Sequence, residues 1–176
     1  GVIGDVEQMI PDDIDALVFS HGHYDHTGAF PGFLDARTKT GKLPVYAHPD
    51  AREEKIAKMG PIRKKLGFPS LNEEQERKIN FVFSRESQEI TGCLKTTPEI
   101  AEKNEIDGVE PLAKHRENGK LVTDPILDDL SLVLDTKNGA VIIAGCAHAG
   151  ILNICEVVKN STGRKIAAII GGTHMV

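Results

Sequence analysis

Apolar residues in this chain fall in short runs separated by polar, glycine-bearing stretches, the pattern of strands that end in loops. Residues 15–20 form such a run and stop abruptly in polar residues, as a buried strand does. Residues 28–37 predict a helix, with Pro31 tolerable only in its first turn. Residues 43–47 predict a second strand and residues 79–83 a third. Between them, residues 49–59 read as a helix stopped by Gly60 and Pro61. Residues 97–117 are polar, charged and irregular, which predicts an inserted loop or lid. Farther on, residues 130–134 and 140–144 flank a turn. Asn138 and Gly139 predict a hairpin there, because both residue types accept positive φ. A loop at 145–150 leads into a predicted helix at 151–160, and a last strand at 165–170 runs into Gly171, Gly172, Thr173 and His174. Strands followed by polar loops and then helices indicate a layered α/β domain.

Composition narrows the class. At 176 residues the chain fits one domain, residues 1–176, with enough length to bury a core. Its 40% apolar and 27% charged content is that of a folded, soluble protein. A net charge of −5 gives no overall footprint for nucleic acid. Arginines and lysines do gather between Arg52 and Lys65, but Glu53 and Glu54 interrupt them, which reads as a solvated helix face. The three cysteines, Cys93, Cys146 and Cys155, have no disulfide-framework spacing, and no signal-peptide pattern is present; together these favour the cytoplasm. No apolar run approaches the roughly 20 residues of a membrane helix. A small-molecule substrate is therefore the expected partner, with neither nucleic acid nor membrane.

The chemistry concentrates at His21-Gly22-His23-Tyr24-Asp25-His26, directly after an apolar run. In extended chain His21, His23 and Asp25 project to one side, and His26 leaves in another direction. Two imidazoles can then face one ion while Asp25 and His26 face a neighbour. Imidazole with carboxylate suits zinc, iron, manganese or cobalt, and the absence of a CxxC pair argues against a structural thiolate site. A polar loop that is His-rich by chance is the competing reading, and the density of ligand-capable side chains weighs against it.

The segment from Ser20 to Gly28 resembles the H-x-H-x-D-H signature of the metallo-β-lactamase superfamily. A narrower likeness comes from Tyr46-Ala-His-Pro49, Asp128-Asp129, the segment from Gly145 to Asn153 and the segment from Ile170 to His174. These are similar to the branch that includes archaeal dihydropterin ribofuranosylaminobenzene-phosphate synthase, of methanopterin biosynthesis. The resemblance implies a four-layer αββα sandwich with one or two divalent metal ions at one edge, zinc first and manganese or iron as alternatives. It implies that His21 and His23 bind the first ion, that Asp25 and His26 bind the second, and that His148 is a further ligand. His174 is a candidate ligand too, the alternatives being a residue behind the ligands or one at the surface. Asp25 would also serve catalysis as a proton acceptor. His48 is expected to line the pocket or cap the next helix, and His115 to face solvent.

Some positions depart from the superfamily pattern. Where many members place a bridging Asp this chain has Cys146, which reads as a pocket thiol or a small buried residue, with a soft ligand as the third choice. Ala29 and Ala147 stand where the branch leads one to expect Gly and Ser. The resemblance also implies an N-terminal hairpin before Gly1 and a strand with another His after Val176, so a partial or shortened form is expected. Its uncovered sheet edge would invite formation of a homo-oligomer. The readings in play are a metal-dependent hydrolase or transferase acting on a phosphorylated or anionic small molecule, with a pterin-related substrate implied by the branch; a non-catalytic metal-binding protein; and an iron-pair redox protein.

Overall fold

The computed structural model describes residues 11–101 and 113–173. Three sheets carry the site. The first is parallel, with β1 (Leu17–Val18), β2 (Leu43–Ala47) and β5 (Ile79–Phe83) in the order β1-β2-β5. Leu43, Val45 and Ala47 alternate into the interior along β2, as a strand with one covered face requires. Helices α1 (Tyr24–Thr27) and α2 (Phe30–Ala36) follow β1, and Pro31 lies in the first turn of α2 as expected. Helix α3 (Glu73–Arg77) is fixed by a reciprocal capping box between Asn72 and Gln75. Phe19, Phe30, Phe33 and Phe68 are buried between these elements and the sheet, with Phe19 edge-on to Phe30 and to Phe68.

A second, antiparallel sheet replaces the helix expected at residues 49–59. There the chain makes a 3-10 turn at Pro49–Arg52 and then β3 (Lys55–Met59), which turns back as β4 (Ile62–Lys65). Gly60, at φ 57°, forms the tip of this hairpin instead of a helix stop. The basic run between Arg52 and Lys65 is accordingly a hairpin, not a helix face. Long-range pairing overrides the local pattern: Lys55 is buried so that Nζ reaches Asp124 (2.9 Å) and Asp128 (2.8 Å). Strands β6 (Glu89–Thr91) and β7 (Leu94–Thr96) follow α3 and β5 and join the third sheet. The expected irregular insert at 97–117 is also corrected in part. Ile100 is buried, and β8 (Ala113–Glu117) pairs with β3 and with β9 (Lys120–Thr123), in the order β4-β3-β8-β9. His115, on β8, is half-buried and not solvent-facing, with Nδ1 3.8 Å from Asp124 Oδ1.

The third sheet has the order β12-β11-β10-β7-β6. Its centre is the expected hairpin of β10 (Ser131–Thr136) and β11 (Gly139–Ala144). Gly139 takes positive φ (130°), whereas Asn138 does not, so glycine alone supplies the special geometry. From β11 the chain passes through the loop at 145–150 into α4 (Ile151–Thr162), ends that helix at a left-handed Gly163, and returns parallel as β12 (Ile166–Gly171). Ile154 and Val158 of α4 pack on Ala140, Ile142 and Ala144 to form a second core. The parallel sheet and the third sheet meet where Ser20 accepts the Leu130 amide (2.6 Å) and abuts Gly145, a position at which any Cβ would overlap the Ser20 hydroxyl. The loops that leave β1 and β11 are thereby brought side by side.

Candidate metal centre

Those two loops carry the ligand-capable side chains. After β1 the backbone stays extended through His23, then turns into the single helical turn of α1. His21 and His23 thus leave from extended chain, while Asp25 and His26 leave from the helical turn. From the other side, the loop at 145–150 presents His148 and Cys146. Ala147 sits there at φ 57°, a left-handed conformation that costs an alanine about 1–2 kcal/mol. The loop is held in that shape by the Ala149 amide donating to Asp129 Oδ2 (2.9 Å) and the Gly150 amide donating to the Ala147 carbonyl (2.9 Å).

The result is a cluster of four imidazoles. The His21 ring centroid lies 4.5 Å from that of His23, 4.4 Å from His26 and 4.8 Å from His148; His23 and His148 are 5.0 Å apart. His21, His23 and His148 are buried, and one nitrogen from each lies within 4.8 Å of the other two. A second group of the same size joins His21, His26 and Cys146, with His26 Nε2 3.0 Å from Cys146 Sγ. Asp25 stands outside both groups; its carboxylate is exposed, with Oδ2 3.4 Å from His26 Nε2. His174 lies outside the described residues.

The donor set fits a divalent cation. His21 Nε2 and His23 Nε2 are buried and have no hydrogen-bond partner among the described residues, an arrangement that costs about 1–3 kcal/mol per atom unless something binds there. Three of the rings, His21, His23 and His26, are also shifted toward the neutral form. Burial, and after it the neighbouring His23, His148 and His26, pushes His21 well below the ordinary imidazole range; burial likewise lowers His23 and His26. A neutral imidazole offers a lone pair, and three buried nitrogens at this spacing match zinc's usual preference.

One buried carboxylate behind the first loop fixes its path. Asp128 Oδ2 accepts the Gly22 amide (2.7 Å), while Asp128 Oδ1 accepts from Lys55. Gly22 also packs so tightly on the 3-10 turn that a Cβ there would overlap the Ala51 carbonyl oxygen. His48 is buried and caps that turn, its Nδ1 accepting the Asp50 amide (3.1 Å) and its Nε2 lying 2.8 Å from Glu99. His48, Asp50 and Glu99 form a third group of ligand-capable atoms, but Arg85 already bridges the Asp50 and Glu99 carboxylates. The sequence reading missed Lys55, whose partners lie 69 and 73 residues away. A lone lysine beside the apolar Ile56 was the available signal.

A match to the metallo-β-lactamase superfamily spans residues 5–150. The chain belongs to the metallo-β-lactamase superfamily. Within that superfamily it is 30% identical, over 94% of its own length, to the 7,8-dihydropterin-6-methyl-4-(β-D-ribofuranosyl)-aminobenzene-5'-phosphate synthase of Methanocaldococcus jannaschii. An uncharacterised protein of the same organism is 28% identical over 92% of the chain. The chain spans 58% of the length of each of these curated relatives. Its fold matches the crystal structure of Tm1679, a metal-dependent hydrolase of the β-lactamase superfamily, with a TM-score of 0.71 and 27% identity, covering 90% of this chain and 57% of that one. The metallo-β-lactamase fold expected from the loop signature is therefore the fold present. Among the described residues no helix is long and apolar enough to cross a membrane.

Proposed function

We propose that this chain is a metal-dependent enzyme that acts on a phosphorylated or otherwise anionic small molecule, by hydrolysis or group transfer. One observation carries the reading: buried His21, His23 and His148 converge, and the Nε2 atoms of His21 and His23 have no partner among the described residues. These three would hold a first divalent ion, with zinc favoured by three imidazoles. His26, with Asp25 or Cys146, would hold a second, and His174 remains a candidate ligand.

Bound there, the ions would supply Lewis-acid polarisation of a phosphoryl or carbonyl oxygen. The chain's own contribution is placement and proton handling. The brace from Lys55 through Asp128 to Gly22 fixes the ligand loop, so the cluster is preorganised. Asp25 lines a cleft of about 430 Å³ together with His23, Cys146 and His148. Exposed on that side, its carboxylate is the proton acceptor within reach of a bound substrate. The methanogen relative's name describes a pterin joined to an aminobenzene ribofuranosyl phosphate, and a pterin-related phosphate is the finer reading for this chain. Cytoplasmic residence accords with its three free cysteines.

Turnover of bis-p-nitrophenyl phosphate by the purified chain, with and without added manganese or zinc, tests the proposal. Metal-stimulated release of nitrophenol is expected. A fully metal-loaded protein that releases none would point to a non-catalytic metal-binding member of the fold.

A further inference from the structure

The cleft above the His cluster has a second wall that the ligand loops do not supply. It comes from the antiparallel sheet. In the register of that sheet Ala57 on β3 faces Lys64 on β4 and Ala113 on β8, so the three form one cross-strand row, and all three line the cleft. The two alanines keep the row low and leave space, while Lys64 rises at its outer end. Lys65, in the next row opposite Ile56, borders this cleft and also a second one with Arg52, Glu53 and Glu54, because consecutive strand residues face opposite sides.

The hairpin is tied to the metal loop by backbone. Leu66, the residue after β4, accepts the Tyr24 amide (2.6 Å) and donates its own amide to Lys55 (2.9 Å). Tyr24 lies directly between His23 and Asp25. Lys65 and Lys64 are the two residues before Leu66, about 3.3 and 7 Å from it along the strand.

Lys64 and Lys65 are exposed, and among the described residues no carboxylate pairs with either. Among nearby basic side chains Arg116 pairs with Glu54, Arg52 with Glu76 and Lys114 with the Thr123 hydroxyl, while Lys58 and Arg63 of the same hairpin are exposed but do not line the cleft. The chain as a whole is acidic, at −5, so a pair of unpaired ammonium groups beside the cluster is not a reflection of overall composition. Leu66 and Tyr24 line the same cleft.

We infer that the β3–β4 hairpin is the anion-reading wall of this cleft, with Lys64 binding a phosphate or diphosphate group of the ligand, Lys65 adding charge from the strand's edge, and Tyr24 and Leu66 contacting its apolar part. The inference rests on the metal-dependent reading above and adds the residues that select the ligand. Lysine suits the task as a flexible point charge with three donors.

Binding of inorganic pyrophosphate to the zinc-loaded chain, measured by titration calorimetry, tests it. Wild type, Lys64→Ala, Lys65→Ala, the double variant and Lys120→Ala (an exposed lysine on β9, away from the cleft) are compared at equal metal content. The double variant should bind pyrophosphate about tenfold more weakly or worse, Lys120→Ala should match wild type, and the gap should narrow as salt is raised. Equal affinity of wild type and the double variant overturns the inference and leaves the metal reading standing. So does an equal loss in Lys120→Ala, which would mean diffuse charge, or a metal-loaded wild type that binds no pyrophosphate. A wild type that takes up no metal removes the enzyme reading and this inference with it.

Discussion

The amide of Gly22 donates to Asp128 across 2.7 Å, joining the centre of the His-rich loop to a buried carboxylate 106 residues away in sequence. The other oxygen of Asp128 holds Lys55, which also holds Asp124. One buried ammonium thus ties the hairpin sheet to the loop that carries His21 and His23.

Replacing that ammonium should be costly. Lys55→Met leaves Asp124 and Asp128 buried without their cation, and a loss of about 3–5 kcal/mol in urea unfolding is expected. Burial alone would lower the Lys55 ammonium, but Asp128 and Asp124 outweigh it and hold it above its ordinary value. Burial likewise works against the Asp124 carboxylate, yet Lys55 keeps it below the usual range. The contribution of Lys55 is therefore complete below about pH 10 and is lost above it; that of Asp124 is complete above about pH 4 and is lost in acid. A stability profile for Lys55→Met that keeps the wild-type loss at both extremes would contradict this.

Gly22→Ala probes the close approach to Ala51. The added Cβ would meet backbone rather than a side chain tip, so the loop itself has to move. A destabilisation of about 1–3 kcal/mol is expected, with weakened zinc uptake by whatever protein still folds. Wild-type thermal stability and zinc affinity in Gly22→Ala would show that the loop has slack.

The metal-free protein should weaken in mild acid. His21, His23 and His26 are depressed in the folded chain, mainly by burial, so in this range the unfolded chain binds their protons more readily. Their contribution to stability is complete above about pH 6.5 and is lost as pH falls below it. Thermal melts of the metal-free protein should show Tm dropping between about pH 7 and pH 5. A flat Tm across that interval would contradict the assigned burial.

Cys146 and Cys93 should differ in reactivity. Burial, and after it Asp25 and Asp129, raises the Cys146 thiol above its ordinary value, whereas Cys93 is exposed. Iodoacetamide at neutral pH should label Cys93 first, and zinc should slow Cys146 further. Faster labelling of Cys146 than of Cys93 would contradict this.

The clustering of His21, His23 and His26 was legible because its information is local: they follow one strand end together with Asp25, which the structure leaves outside both groups. The helix expected at 49–59 failed for the opposite reason. Glu53, Glu54, Lys55 and Lys58 mimic a solvated helix face, while what decides the strand is the pairing of Ile56 with Lys114 and of Lys55 with His115, about sixty residues on. Reading the basic run from Arg52 to Lys65 as a solvated face also hid Lys64, which the hairpin brings to the cleft. The contact of Cys146 with His26 spans 120 residues, so the sequence alone left the thiol's role open.

The most direct measurement is the zinc content of the purified chain after reconstitution and dialysis, wild type beside His23→Ala and His148→Ala. About one tightly held ion per wild-type chain or more is expected, with most of the first-site metal lost in His23→Ala and binding weakened in His148→Ala, both proteins remaining folded by circular dichroism. Wild-type protein that retains no zinc, or His23→Ala that retains all of it, would contradict the account.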